Sequence, residues 1–107
     1  MTETATSKNG VAIRLTDERW SHITEEHTEL AGYRLEVLEA VAQPERILEG
    51  SAGELLALRK QMDGKTLVAV YREAADDGFV ITAFLTRREA SLNRRKQLWP
   101  WLKSTSI

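Results

Sequence analysis

The chain has 107 residues, 42% apolar and 29% charged, a net charge of −1 and no cysteine. One domain with a real core fits that length and composition, while disulfides and thiolate metal sites are excluded outright. The weak net charge argues against a protein that coats nucleic acid nonspecifically through many phosphate contacts.

Charge is nevertheless unevenly placed. Residues 1–50 carry ten acids and five bases, giving −5, whereas residues 51–107 carry six acids and ten bases, giving +4. Such a split marks either a polyanion-binding end or two solvated faces. No apolar run approaches the roughly 20 residues needed to span a bilayer, and the polar start, MTETATSKNG, has no apolar signal-peptide core. The expected location is the cytoplasm.

Residues 1–10 read as a disordered N-terminus, 11–99 as one α+β domain and 100–107 as a tail. Val11 to Leu15 is a short strand candidate. Thr16 has the chemistry of a helix N-cap, with Asp17 and Glu18 favourable beside the positive helix end. Trp20, Ile23, His27 and Leu30 then recur at helical spacing. Gly32 is a stop signal. A second helix is expected from Tyr33 to Ala42, burying Leu35, Leu38, Val41 and Ala42, and Pro44 ends it.

Strands follow at Arg46–Glu49, Glu54–Gln61, Thr66–Arg72 and Phe79–Leu85. Asp63-Gly64 and Asp77-Gly78 supply turn chemistry between the last three, so an antiparallel meander is the economical topology. The segment Thr86–Trp99 is helical or irregular. Phe79, Ile81, Ala83 and Leu85 form a wholly apolar row. That row is expected to face the helices and meet Trp20, Leu35 and Leu38. Arg59 and Thr82 then fall on the less covered face. At least one of Trp99 and Trp101 is expected to be buried.

His22 and His27 are the only histidines. Five residues apart, they cannot form the i, i+4 metal pair of a helix. His27 on its apolar stripe is either a structural group at the core edge or an imidazole at a groove rim that moves a proton near neutral pH. Arg59 and Lys60 are either a strand-borne phosphate clamp or surface ion-pair partners. Thr82 and Tyr71 serve the sheet through β-propensity, or present a hydroxyl and a ring to a ligand. After the last strand come Arg87, Arg88, Arg94 and Arg95, whose guanidinium groups match phosphate oxygens bidentately. No phosphate-cradling glycine loop or nucleophile elbow is present, and no cofactor is implied.

The opening ERWSHITEEHTEL, followed by GELLALRK, KTLVAVYRE and DGFVITAFLTRR, resembles the phage- and bacteria-associated nuclease-like domains of the barnase–EndoU–colicin–RelE group. The resemblance covers about residues 11–99. Many relatives read HPEL where this chain has Thr28 after His27. The resemblance implies a small α+β domain, with two N-terminal helices packed on an antiparallel sheet of about four strands and a basic C-terminal tail. It also implies metal-independent RNA cleavage in a toxin or mobile-element setting, through attack of a 2′-hydroxyl on the adjacent phosphate. His27, Arg59, Tyr71 and Thr82 are the implied catalytic set. Lys60, Arg87, Arg88, Arg94 and Arg95 are the expected phosphate contacts. RNA is the expected partner, with an antitoxin or immunity protein, or a second copy of the chain, as further ones. A noncatalytic RNA- or protein-binding module on the same fold is the alternative.

Overall fold

A computed structural model describes residues 1–75 and 77–100. Among them, seven strands form one mixed sheet, β1 (Thr2–Thr6), β2 (Ala12–Thr16), β3 (Arg46–Glu49), β4 (Leu55–Lys60), β5 (Thr66–Ala74), β6 (Asp77–Thr86) and β7 (Gln97–Trp99), in the order β1-β2-β6-β5-β4-β3-β7. Two α-helices, α1 (Asp17–Glu26) and α2 (Arg34–Ala42), lie between β2 and β3 in sequence. The four-stranded antiparallel sheet expected from sequence is therefore incorrect. Strands β3 to β6 do pair antiparallel, but the sheet grows at both ends. On one side β2 joins β6 in parallel, through Ile13↔Gly78 and Arg14↔Phe79. On the other, β7 joins β3.

The N-terminus is the first correction. Instead of fraying, Thr2–Thr6 pairs with β2 along its whole length, from Thr2↔Thr16 to Thr6↔Ala12. TETAT has little apolar alternation, but its threonines are good strand formers and Ala5 enters the core at 8% exposure. Side chains then fasten the hairpin. Arg34 at the start of α2 reaches Glu3 at 2.7 Å and Asp17 at 2.8 Å. Beyond β1, the Ser7 hydroxyl and the Asn9 amide both donate to the Glu73 carboxylate of β5.

Local signals place several boundaries. The Thr16 hydroxyl accepts from the Arg19 N–H at 3.0 Å and caps α1. The β4–β5 turn puts Asp63 and Gly64 at φ +65° and +73°, the left-handed region that glycine and aspartate tolerate best. The β5–β6 turn differs from expectation. Gly78 lies inside β6 opposite Glu73, and the chain reverses after Ala74, with Ala75 at φ +53°. Asp76 lies outside the described residues.

Both faces of the sheet are covered, which explains why β4 and β5 are apolar in both rows. Ile13, Leu15, Ile23, Leu30, Val37, Val41, Ala57, Leu67, Ala69, Tyr71, Val80 and Ala83 form the helix-side core. Leu48, Leu56, Leu58, Val68 and Val70 form a second core, joined by Ile81, Phe84 and Leu92. Leu92 belongs to the segment that leads from β6 to β7. That segment is tied to the sheet by Glu89, which accepts from the Thr66 hydroxyl at 2.8 Å and from Arg46 at 2.9 Å.

Two face assignments are overturned. A β-bulge shifts the β5–β6 register, so that Tyr71 opposes Val80 but Val70 opposes Thr82. The extra residue reverses side-chain parity. Val80, Ala83 and Leu85 consequently face the helices, while Ile81 packs on the second core and Phe79 is 38% exposed. On α2, Leu35 is 70% exposed, whereas Leu38 and Val41 are buried as expected and Val37 and Ala40 join them. The helix touches β1, β4 and β5, so its burial extends beyond a single stripe. Lys8, from the β1–β2 hairpin, lies 4.8 Å from the Trp99 ring centroid on β7, so residues from opposite ends of the sheet order meet. Trp99 is half-buried, and Trp101 lies outside the described residues.

Candidate functional site

Three bases of the second half of the chain, Lys60, Lys65 and Arg87, lie where the β4–β5 turn meets the end of β6. The hairpin register sets Lys60 opposite Thr66, with Lys65 just before it. Arg87, the first residue beyond β6, donates to the Asp63 carbonyl at 2.5 Å and ties the two segments together. A concavity of about 280 Å³ opens there, lined by Lys60, Gln61, Gly64, Lys65, Thr66, Arg87 and Glu89. A second, of about 240 Å³, is lined by Glu29, Lys65, Leu85, Thr86 and Arg87. Lys65 and Arg87 belong to both, so the two adjoin.

The electrostatics favour an anion. Lys60, Lys65 and Arg87 supply three cations. Of the two carboxylates, Glu89 is already engaged by Arg46 and Thr66. Burial pushes the Glu89 carboxyl up, but the Thr66 hydroxyl, the Arg46 guanidinium and the nearby Lys60 charge outweigh it and hold the group below its ordinary range. Glu29 instead faces a histidine, its Oε2 lying 3.5 Å from His27 Nδ1. Among the described residues no three His, Cys, Asp or Glu side chains are grouped to hold a metal ion.

His27 follows the last residue of α1, and its backbone N–H closes that helix on the Ile23 carbonyl at 2.8 Å. Its side chain is about one-third exposed and its ring centroid is 6.4 Å from that of Phe84. It is therefore accessible and connected to the smaller concavity through Glu29. His22 points elsewhere, to Glu26 at 3.0 Å on the exposed side of α1.

The structure does not bring His27, Arg59, Tyr71 and Thr82 together. Arg59 lies in the row of Leu55 and Ala57, toward the helices, where it bonds Glu39 at 3.0 Å and donates to the Gln43 carbonyl at 2.7 Å. It thereby satisfies a carbonyl at the C-terminal end of α2, a favourable place for a cation. Tyr71 is sealed in the helix-side core at 0% exposure, and its hydroxyl has no hydrogen-bond partner among the described residues. Burial, and secondarily the Glu73 charge, push its phenol well above the ordinary range. Thr82 is half-buried on the opposite face, beside Val70. Of the expected phosphate contacts, Lys60 and Arg87 line the concavities and Arg88 is adjacent and exposed. Arg94 and Arg95 are on the segment between β6 and β7, where Arg95 donates to the Glu49 carbonyl at 3.4 Å.

Sequence reasoning missed Glu29, Lys65, Thr66, Thr86 and Glu89. A signal existed for Lys65 and Thr66, since a turn at Asp63-Gly64 necessarily sets them across from Lys60. None existed for Glu29, which reaches the site only because the turn after α1 packs against β6.

The placement of Tyr71 has a measurable consequence. Tyr71→Phe removes a buried hydroxyl with no partner, whose desolvation costs roughly 1–3 kcal/mol. The expected result is a urea midpoint equal to or above that of the unmodified chain. A lower midpoint would mean that the hydroxyl finds a partner in the folded protein.

Comparison of the chain with protein-family models, curated proteins and solved structures gives no match. The fold and site define it as an α+β protein with a mixed sheet and a cationic concavity at one end of the β4–β5 hairpin.

Proposed function

We propose that the chain is a metal-independent endoribonuclease that holds an RNA phosphate at the basic end of the sheet. The observation that carries this reading is the sharing of Lys65 and Arg87 by two adjoining concavities, one of which reaches His27 through Glu29. In the reaction the 2′-oxygen loses its proton and bonds to phosphorus. The 5′-oxygen gains a proton and leaves, so the products are a 2′,3′-cyclic phosphate and a 5′-hydroxyl. In this reading His27 moves one of these protons, with the Glu29 carboxylate 3.5 Å from its Nδ1. Lys65 and Arg87 stabilise the added charge on the phosphorane. Arg87 spends one donor on Asp63 and keeps the rest of its fork for the phosphate.

The test is incubation of the purified protein with total RNA in the presence of EDTA, with the termini of any products analysed. Cleavage that persists in EDTA and leaves cyclic phosphate ends is expected. Lys65→Ala and Arg87→Ala should each weaken RNA binding and flatten its logarithmic salt dependence by about 0.7 for each phosphate no longer neutralised. Unchanged binding and salt slope in both variants would remove the phosphate from this end.

A noncatalytic RNA-binding module is the second reading. The withdrawal of Arg59 and Tyr71 into structural contacts favours it, because His27 is left as the single proton-transfer candidate of the expected set. RNA bound with the stated salt dependence and never cut would select it.

A further inference from the structure

On the sheet face away from the helices, the strand register sets Thr4, Arg14, Phe79 and Arg72 side by side across β1, β2, β6 and β5. Neighbouring strands are about 4.8 Å apart, so one arginine stands on each flank of the Phe79 ring. Phe79 is among the few exposed large apolar side chains, at 38%, and Thr4 and Arg14 are exposed beside it. The β-bulge puts Val80 in the helix-side core and hence turns Phe79 outward. Each arginine is anchored. Arg14 pairs with Asp77 at two points, Nε to Oδ1 and Nη2 to Oδ2, each at 3.1 Å, and Arg72 donates to the Ala52 carbonyl at 3.0 Å. Both retain further donors in a five-donor fork. An exposed ring with an arginine on each neighbouring strand has the chemistry that takes an unpaired nucleobase on its face and the neighbouring phosphates at its sides.

We infer that Phe79, flanked by Arg14 and Arg72, is a stacking platform for one unpaired base of a single-stranded RNA. This rests on the RNA reading above and adds a second subsite to it. Phe79 and Arg87 are eight positions apart in sequence, a span of roughly 26 Å along an extended strand. The platform therefore engages a nucleotide well removed from the phosphate at the basic end. A duplex cannot offer a splayed base, so the platform selects single strands.

The experiment measures binding of a fluorescein-labelled single-stranded oligoribonucleotide, and of the same strand annealed to its complement, by anisotropy. Phe79→Leu keeps the apolar contact with the sheet and removes the π face. It should weaken single-strand binding about 5- to 150-fold, the range for removing one stacked base. Duplex binding should stay within about twofold. Phe79→Trp should restore or strengthen the single-strand affinity. Wild-type single-strand affinity in Phe79→Leu, with Lys65→Ala still impaired, overturns the platform and leaves the basic-end reading standing. Failure of the unmodified protein to bind the single strand at all overturns both.

Discussion

His27→Ala is expected to lower RNA cleavage by roughly 10²–10⁴-fold, the usual contribution of a positioned acid–base group, while RNA binding stays close to that of the unmodified protein. The expectation follows from the role of the imidazole. His27 sits at the end of α1 with Nδ1 toward Glu29 and about a third of its side chain open to solvent. In the proposed reading the Glu29 carboxylate favours one ring orientation and the other nitrogen exchanges the proton. Phosphate affinity in that reading comes instead from Lys65 and Arg87, which the substitution leaves intact. His22→Ala is the internal control. Its side chain pairs with Glu26 on the exposed side of α1, so cleavage should be unchanged. Glu29→Gln should reduce turnover more than binding, because it keeps the shape and weakens the hold on the ring. Single-turnover cleavage and equilibrium binding, measured on the same preparations, separate these effects. Undiminished cleavage by a folded His27→Ala protein sinks the assignment.

The second large effect is on stability. Gly78→Ala is expected to destabilise the fold by about 1–3 kcal/mol, as overpacking of a well-filled core does. That corresponds to a fall in Tm of roughly 4–8 °C per kcal/mol for a domain of this size. A Cβ at Gly78 would lie 2.4 Å from Ile13 Cδ1 and 2.9 Å from the Arg72 carbonyl oxygen. The first contact is with a side chain at 0% exposure and the second is with backbone. Neither can retreat cheaply. Because Gly78 pairs with Ile13 on one side and Glu73 on the other, the strain falls on the junction that makes the sheet mixed. Ile13→Val removes the Cδ1 atom and alone costs roughly 0.5–1.5 kcal/mol. The double variant should therefore lose less than the sum of the two single ones. An unchanged Tm in Gly78→Ala would mean that β2 and β6 do not approach as closely as the structure places them.

Much of the local structure is legible in the residues themselves. Thr16 before an acidic first turn starts α1 because a hydroxyl there satisfies an otherwise free N–H. Asp63-Gly64 turns the chain because those two residues accept the left-handed conformation. The strands β3 to β6 follow from apolar runs between such turns, rich in β-branched residues in β5 and β6. Arg87 could be placed at a strand end, and Lys60 near it, from the same pattern.

What the residues could not decide is which segment meets which. TETAT carries too little apolar patterning to announce an edge strand, and it is held there by pairing with β2, by packing against α2 and by the Arg34 and Glu73 ties. One extra residue at the β5–β6 bulge moved Ile81 away from the helices and turned Phe79 to the surface. Arg59 was drawn to the end of α2, a partner 16 residues away that no local pattern encodes. Tyr71 went fully into the core because its row of β5 is the one the helices cover, which the strand pattern by itself left open. Turn and capping chemistry act over a few residues and can be read from sequence by itself. Face, register and ion-pair partner depend on long-range packing, where a single bulge reverses every side chain that follows.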